Sequence, residues 1–432
     1  RQWEARGQVR FKQLRGFSRL FPIPMYIDET SVKFNTNNMT LSGARLHLGK
    51  SDFTLSGELS DIRRAMLRGG KLKANFELES DLIDCNQLML AIGKGLQFSD
   101  QLASNSVGAF SEDSISVLET DHLLANTVDS VATDSISQLF VVPKFLDLTL
   151  HTNAKKIDFK DLKLEDVKGE VVIRDQSINL SDLCMSSNIG SGDLTMVYTT
   201  KTDQEATMGF ELSLNDILVE RLISLFPDID TLVPMLRSFE GMVDCQMTAT
   251  CKADSTMSVL LPSVNASCYL SGKNMVLLDG ETFTEISKTL MFKNKKRNMI
   301  DSIAVDLAIH DNKIEVFPFL VEMDRYKVAV GGTHNLDMTF DYHLSVLKSP
   351  VPFKLGIDIK GNLDDFKFKI VKCKYKDFLK PTKQAELDST RRNVREEIRE
   401  TIRKQIREAA PELGNSLSEI HPHTHGHVEE ST

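Results

Sequence analysis

The chain has 432 residues, enough for two or three domains or one elongated one, and its 41% hydrophobic and 26% charged content is ordinary for a folded protein. A formal net charge of −9 argues against a general nucleic-acid binder. No run of eighteen apolar residues occurs, so no membrane-spanning helix lies within the sequence.

Residue 1 is Arg, so the chain reads as a fragment or processed product, one from which a signal or anchor could have been cut away upstream. Residues 1 to about 22 are basic, with Arg1, Arg6, Arg10, Lys12, Arg15 and Arg19. From about 25 to 80 the pattern is that of strands. Phe53, Leu55 and Leu59 alternate with Thr54, Ser56 and Glu58, and Leu72, Ala74, Phe76 and Leu78 alternate with Lys73, Asn75, Glu77 and Glu79. Gly57 and Gly69-Gly70 punctuate this region. Residues 1–94 are therefore an N-terminal β region. No basic residue occurs between Lys94 and Lys144, and Ser and Asp are frequent there, so 95–143 reads as a flexible linker or insertion.

Strands resume at 144 and continue to about 380. Leu146, Leu148 and Leu150 begin them, followed by Val171 and Ile173, then Leu194, Met196 and Tyr198. The spacing of Ile217, Leu218, Arg221, Leu222, Leu225 and Phe226 predicts a helix starting near Asn215 or Asp216 and ending before Pro227. Further short helices are expected over 230–239 and 282–291. Between Met242 and Lys252, Val243, Cys245, Met247, Ala249 and Cys251 fall on one side of a strand. Asp244, Gln246, Thr248, Thr250 and Lys252 fall on the other, giving one apolar and one wet face. The pattern returns in Ile303, Val305, Leu307 and Ile309, in Tyr326, Val328 and Val330, and in Met338, Phe340, Tyr342, Leu344 and Val346. Phe353, Leu355, Ile357 and Ile359 repeat it, as do Phe366, Phe368 and Ile370. The turn His310-Asp311-Asn312-Lys313 and other short links make these strands antiparallel neighbours.

Val394, Ile398, Ile402 and Ile406 recur every four residues in a charged helix from about 388 to 409, within a helical segment 381–410. Its polar face mixes Glu with Arg, which favours docking on the sheet or pairing with a helix over lying on a membrane. The tail 411–432 carries His421, His423, His425 and His427, and a solvated tail is favoured there over a weak metal site.

Catalytic constellations yield only near misses. In Gly49-Lys50-Ser51, five residues rather than four separate Gly43 from Gly49, and the segment lies between strands, so it is no phosphate loop. GxSxG, HExxH and GxGxxG are absent, and no cofactor, metal or catalytic residue is assigned. His310 fits a turn and His343 the polar face of a strand. The six cysteines form no CxxC pair. Cys245 and Cys251 share a face roughly 20 Å apart at about 3.3 Å per residue and cannot bond to each other, so the cysteines read as buried apolar thiols.

A series of segments in fixed order carries a resemblance: Leu180-Ser181-Asp182-Leu183, Ser191-Gly192-Asp193-Leu194 leading to Tyr198, and Pro234-Met235-Leu236-Arg237-Ser238-Phe239-Glu240-Gly241. It continues through Leu261-Pro262-Ser263, Phe292-Lys293-Asn294-Lys295-Lys296, Val316-Phe317-Pro318-Phe319, Asp324-Arg325-Tyr326, Tyr342-His343-Leu344-Ser345-Val346 and Leu355-Gly356-Ile357 with Gly361. Residues 164–376 thereby resemble the C-terminal region of AsmA-like proteins, in the form found in Bacteroidetes-type Gram-negative bacteria. The 41–59 hairpin resembles an upstream part of the same family. The resemblance implies an inner-membrane anchor upstream of this chain, a body in the periplasm, and a role in outer-membrane assembly. It also implies phospholipid or other acyl lipid as partner, envelope proteins as further partners, and no enzymatic activity. The insertion and the histidine tail do not map onto the family.

The fold expected is mainly β: an elongated, strongly twisted antiparallel sheet forming a groove or open sandwich, with a few short helices and a C-terminal amphipathic helix. More than a dozen one-sided strands face three short helices and one narrow one, too few to cover them. On periodicity alone a closed, ligand-free sandwich is favoured, and the resemblance reverses that order. The groove-lining residues expected are Val243, Cys245, Met247, Ala249, Ile303, Val305, Leu307, Ile309, Phe340, Tyr342, Leu344, Leu355, Ile357 and Phe368.

Overall fold

The computed structural model describes residues 6–18, 21–91, 94, 139–159, 162–187, 190–202, 204–225, 239–277, 298–323, 326–335, 339–349, 354–362 and 365–409. The helices expected over 230–239 and 282–291, the tail, and most of the 95–143 segment lie outside these residues, apart from Phe239 and 139–143.

Among the described residues, twenty strands form one sheet. In the N-terminal part they are β1 (Arg6–Ser18), β2 (Phe21–Asn35), β3 (Met39–Leu48), β4 (Ser51–Ser60), β5 (Leu72–Ser80) and β6 (Ile83–Asp84). Next come β7 (Leu146–Phe159), β8 (Leu162–Arg174), β9 (Ser177–Ser187), β10 (Gly190–Thr199), β11 (Glu205–Leu218), β12 (Phe239–Glu240) and β13 (Met242–Asp254). The last are β14 (Asn265–Leu277), β15 (Asn298–His310), β16 (Lys313–Met323), β17 (Tyr326–Asn335), β18 (Phe340–Lys348), β19 (Leu355–Gly361) and β20 (Phe366–Val371). Among the described residues, α1 (Ile62–Arg68), α2 (Val219–Leu225) and α3 (Pro381–Ala409) accompany them, and residues 85–91 are helical as well.

The pairing registers place eighteen strands side by side in chain order, with β6 and β12 as short additions beside β7 and β14. The sheet is mixed, not purely antiparallel as the short links suggested. β5 and β7 run parallel from Leu72↔Leu146 to Ser80↔Ala154. The long excursion from 85 to 145 returns the chain to the end where β5 began, which is what a parallel neighbour requires. The N-terminal β region and the 144–380 region are therefore one continuous sheet. Type I′ geometry closes two hairpins, at Asp175-Gln176 and Asp311-Asn312, all with positive φ. Asp and Asn tolerate that conformation better than other side chains, and its twist matches the strands.

Residues 139–145 cross one rim of the sheet. The Leu139 N–H donates to the Ser255 carbonyl (2.9 Å) and the Val142 N–H to Thr200 Oγ1 (2.8 Å). The Tyr198 hydroxyl donates to the Phe140 carbonyl (2.8 Å), and Leu139 and Val142 bury against Tyr198 and Ala206. The predicted helix over 215–226 is shorter than its periodicity implied. Ile217 and Leu218 still pair with Val243 and Met242 in β11, and α2 begins at Val219.

The C-terminal helix docks on the sheet, over the polar face. Ile398, Ile402 and Ile406 form one buried cluster with Val197, Val394 packs against it, and Val197's direct neighbours on that face are Asn179 and Gly209. Under the helix, Thr248, Ser267 and Asp306 are buried, so the face read as wet is dry there. Arg391 and Arg395 both meet Asp306 (3.3 Å each), Arg395 lies 6.0 Å over the Tyr269 ring, and Arg399 meets Glu211 (2.6 Å). Arg391 also donates to the Pro318 carbonyl (2.7 Å). These contacts run from β16 to β10 as the helix advances. Fifteen residues from Arg391 to Ile406 rise about 22 Å, and the five strand-to-strand steps from β16 to β10 span about 24 Å, so α3 crosses the strands nearly at right angles. A Cβ on Gly209 would sit 3.2 Å from the Ile402 side chain, and the bare backbone at this position lets the helix settle.

Ile402 is almost completely buried in this seam. Ile402→Ala is expected to cost about 2–5 kcal/mol, the range for truncating a buried aliphatic side chain. Urea denaturation checks it, and amide exchange should show α3 losing protection first.

Candidate functional site

Because side chains alternate along each strand, the registers decide which residues share a face. Directly opposed residues can be followed across all eighteen strands in one lateral row. From β1 to β8 the row runs Val9, Val32, Leu41, Gly57, Phe76, Leu150 and Val171. It continues through Leu180, Met196, Phe210, Ala249, Ala266 and Ile309. Ile314, His334, Phe340, Gly361 and Phe366 complete it. No charged residue interrupts the row, and His334 is its only polar side chain. At roughly 4.8 Å per strand it is about 80 Å long. The two glycines are each overlain by the next strand: a Cβ on Gly57 would meet Phe76 at 2.7 Å, and one on Gly361 would meet Phe366 at 2.7 Å.

All fourteen residues expected to line a groove lie on this one face, in β13, β15, β18, β19 and β20. Val243, Cys245, Ala249, Ile303, Leu307, Ile309 and Ile357 are buried. Met247, Val305, Phe340, Tyr342, Leu344 and Leu355 are half-buried, and Phe368 is 40% exposed. A parallel row links four of them, Met247, Leu307, Tyr342 and Phe368, running Leu212, Met247, Cys268, Leu307, Val316, Gly332, Tyr342, Ile359 and Phe368. The β11–β16 stretch is the best buried, and α2 adds Val219 and Leu222 to its core. Toward the edges the face opens. Val9, Phe11 and Leu14 on β1 are exposed, as are Phe368 and Ile370 on β20. β1 and β20 do not pair with each other, so the sheet is not a closed barrel.

The expected lining stopped short of the N-terminal half of the face, although Phe53, Leu55 and Phe76 alternate there, and single-strand periodicity missed the Cys245–Cys268 pair. The two thiols come within 3.9 Å from adjacent strands, both buried on the apolar side. Cys245 opposes Leu270 and Cys268 opposes Met247, so they are diagonal neighbours, a relation that depends on register and is invisible within one strand.

The opposite face holds a cleft of ≈ 440 Å³ whose lining includes Gly331, Thr333, His343, Asp358, Lys360 and Lys374. His343 Nδ1 lies 2.6 Å from Asp358 and Nε2 lies 2.9 Å from Ser345 Oγ, the contact order of an acyl-transfer triad. The arrangement cannot act as one. Ser345 is fully buried, its oxygen accepts the Tyr375 N–H (2.9 Å), and His343 Nε2 accepts the Lys374 N–H (3.1 Å). That last bond occupies the lone pair a general base needs, and it fixes the proton on Nδ1 toward Asp358. The cluster ties the 374–375 backbone to the sheet. Among the described residues no group of three or more His, Cys, Asp or Glu could hold a metal, and no helix is long and apolar enough to cross a membrane.

No family model matches the chain, no curated protein does, and no solved structure does.

Two outcomes follow from the geometry. Leu307→Asp places a charge at a buried position of the apolar face and should unfold the β11–β16 region, whereas Met247→Asp, half-buried, should keep a cooperative melt by circular dichroism. On the other face, burial pushes the Asp306 carboxyl above the usual carboxylate range, and Arg391 and Arg395 pull it back only in part. A carboxyl raised on folding contributes stability below its unfolded pKa and loses it as pH rises through the folded value. Asp306→Asn should therefore gain on the wild type in urea midpoint as pH rises from about 4, the unfolded carboxyl value, through the raised folded value.

Proposed function

We propose that the protein is an acyl-lipid carrier whose apolar sheet face is the track. The observation that carries this is the uncharged row reaching across all eighteen strands. A core needs apolar side chains only where a second layer covers them. Here the face reaches both unpaired edges, where Val9, Leu14, Phe368 and Ile370 stand exposed. An apolar surface of this extent marks a binding site, and each CH₂ of an acyl chain brings about 0.8 kcal/mol on burial. Affinity would come from length along the track, which explains why no catalytic or cofactor motif is needed.

The order of segments resembling AsmA-like proteins supports placing this track in a Gram-negative envelope. In that reading the chain is the periplasmic part of an inner-membrane-anchored protein that serves outer-membrane assembly by carrying phospholipid, without enzymatic activity. One continuous hydrogen-bonded sheet with two free edges favours it over a closed, ligand-free sandwich.

The test is purification of the chain from bacterial membranes in mild detergent, followed by mass spectrometry of extracted lipid. Phospholipid should copurify with the wild type and fall in Met247→Asp. A monodisperse wild-type protein free of lipid overturns the reading.

A further inference from the structure

α3 and the densest part of the apolar face occupy opposite sides of the same strands. The helix covers Thr248, Ser267 and Asp306; the residues alternating with them, Met247, Cys268 and Leu307, point to the apolar side. Neighbouring strands in a sheet are each rotated by roughly 20–25°, so a sheet flexes by changing that rotation. A single helix in contact with the six neighbouring strands β10, β11, β13, β14, β15 and β16 resists such changes across them.

The seam is built to separate. Its apolar part is one residue wide, Val394, Ile398, Ile402 and Ile406, and the rest is ionic. Toward its C-terminal end the fit is incomplete. The Asn179 amide, beside Val197, and the Gln405 carbonyl are buried without hydrogen-bond partners among the described residues. Each such group lowers the free energy of docking. The N-terminal end is held separately, by Lys374 and Tyr375 on the His343–Ser345 cluster and by Gln384 on the Phe378 carbonyl. A released helix would therefore swing from that end and stay tethered.

We propose that α3 is a releasable strap: docked, it holds β10–β16 at the curvature that buries their apolar side chains, and undocked, it lets that stretch open to an acyl chain. The ligand named here rests on the lipid-carrier reading; the mechanical part does not.

Native cysteines report on it. Cys245 and Cys268 are buried behind the strap, Cys184 is exposed, and Cys85 lies in the N-terminal half. Thiol labelling of the whole chain with methyl methanethiosulfonate, read by mass spectrometry, measures opening without any lipid. Arg391→Ala with Arg395→Ala strands the buried Asp306 charge and should raise Cys245 and Cys268 labelling about tenfold, with Cys85 unchanged, as expected for a sub-global opening. Adding Asp306→Asn removes the stranded charge and should bring labelling back toward wild type. Exchange showing α3 released while Cys245 and Cys268 stay protected overturns the proposal. If the double variant instead unfolds, with Cys85 labelling too, the wild type in low urea decides. Labelling of Cys245 and Cys268 must rise together with α3 exchange, below the global transition; a rise only at that transition overturns the strap. Opening without copurified lipid removes the carrier reading alone, and lipid with unresponsive thiols removes the strap alone.

Discussion

Register is the constraint on which the molecule depends. A strand presents its apolar residues to one side only as long as its pairing partner is in step, and a slip of one residue would turn the whole set to the other side. Here the step is kept through eighteen strands, despite bulges at places such as Leu214/Ile217 and Val316/Phe319. Bulges add a residue locally and then restore the alternation. The parallel β5–β7 joint keeps it too, since Phe76 opposes Leu150. The result is a surface property that no single strand possesses.

The two faces are managed by different physics. The polar face is dry where α3 crosses it, and there the buried Asp306 meets Arg391 and Arg395 while the half-buried Glu211 meets Arg399. Such pairs gain little net stability over apolar packing once desolvation is counted. They fix where the helix sits, because a carboxylate on β15 and another on β11 accept an Arg-bearing helix in one position along its length. The apolar face has no such addresses. Its residues are interchangeable in chemistry, which suits a long, featureless ligand better than a small polar one. The unpaired edges carry Arg10, Lys12 and Arg15 on β1 and Lys367 and Lys369 on β20, the charges that discourage edge-to-edge aggregation of so long a sheet.

The His343 cluster shows how geometry can imitate chemistry. Ser, His and Asp stand in triad order, yet the hydroxyl is sealed and the imidazole acceptor is occupied by a backbone N–H. What the cluster does is mechanical: two side chains on β18 hold the chain that leads into the strap.

Much of this was legible in the residues. The period-two runs in 242–252 and 303–309, the Asp311-Asn312 turn and the four-residue repeat from Val394 to Ile406 are local patterns, set by backbone geometry within a few residues, and the structure has each of them. The apolar assignment of all fourteen lining residues to one face also followed from alternation. Three things did not. The parallel pairing of β5 with β7 depends on where the chain returns after a long excursion. The proximity of Cys245 to Cys268 depends on register between two strands. The burial of Thr248, Ser267 and Asp306 depends on a helix more than eighty residues further along the chain. Alternation fixes which way a side chain points; only the tertiary structure decides what it meets there, because that is a matter of contacts between segments far apart in sequence.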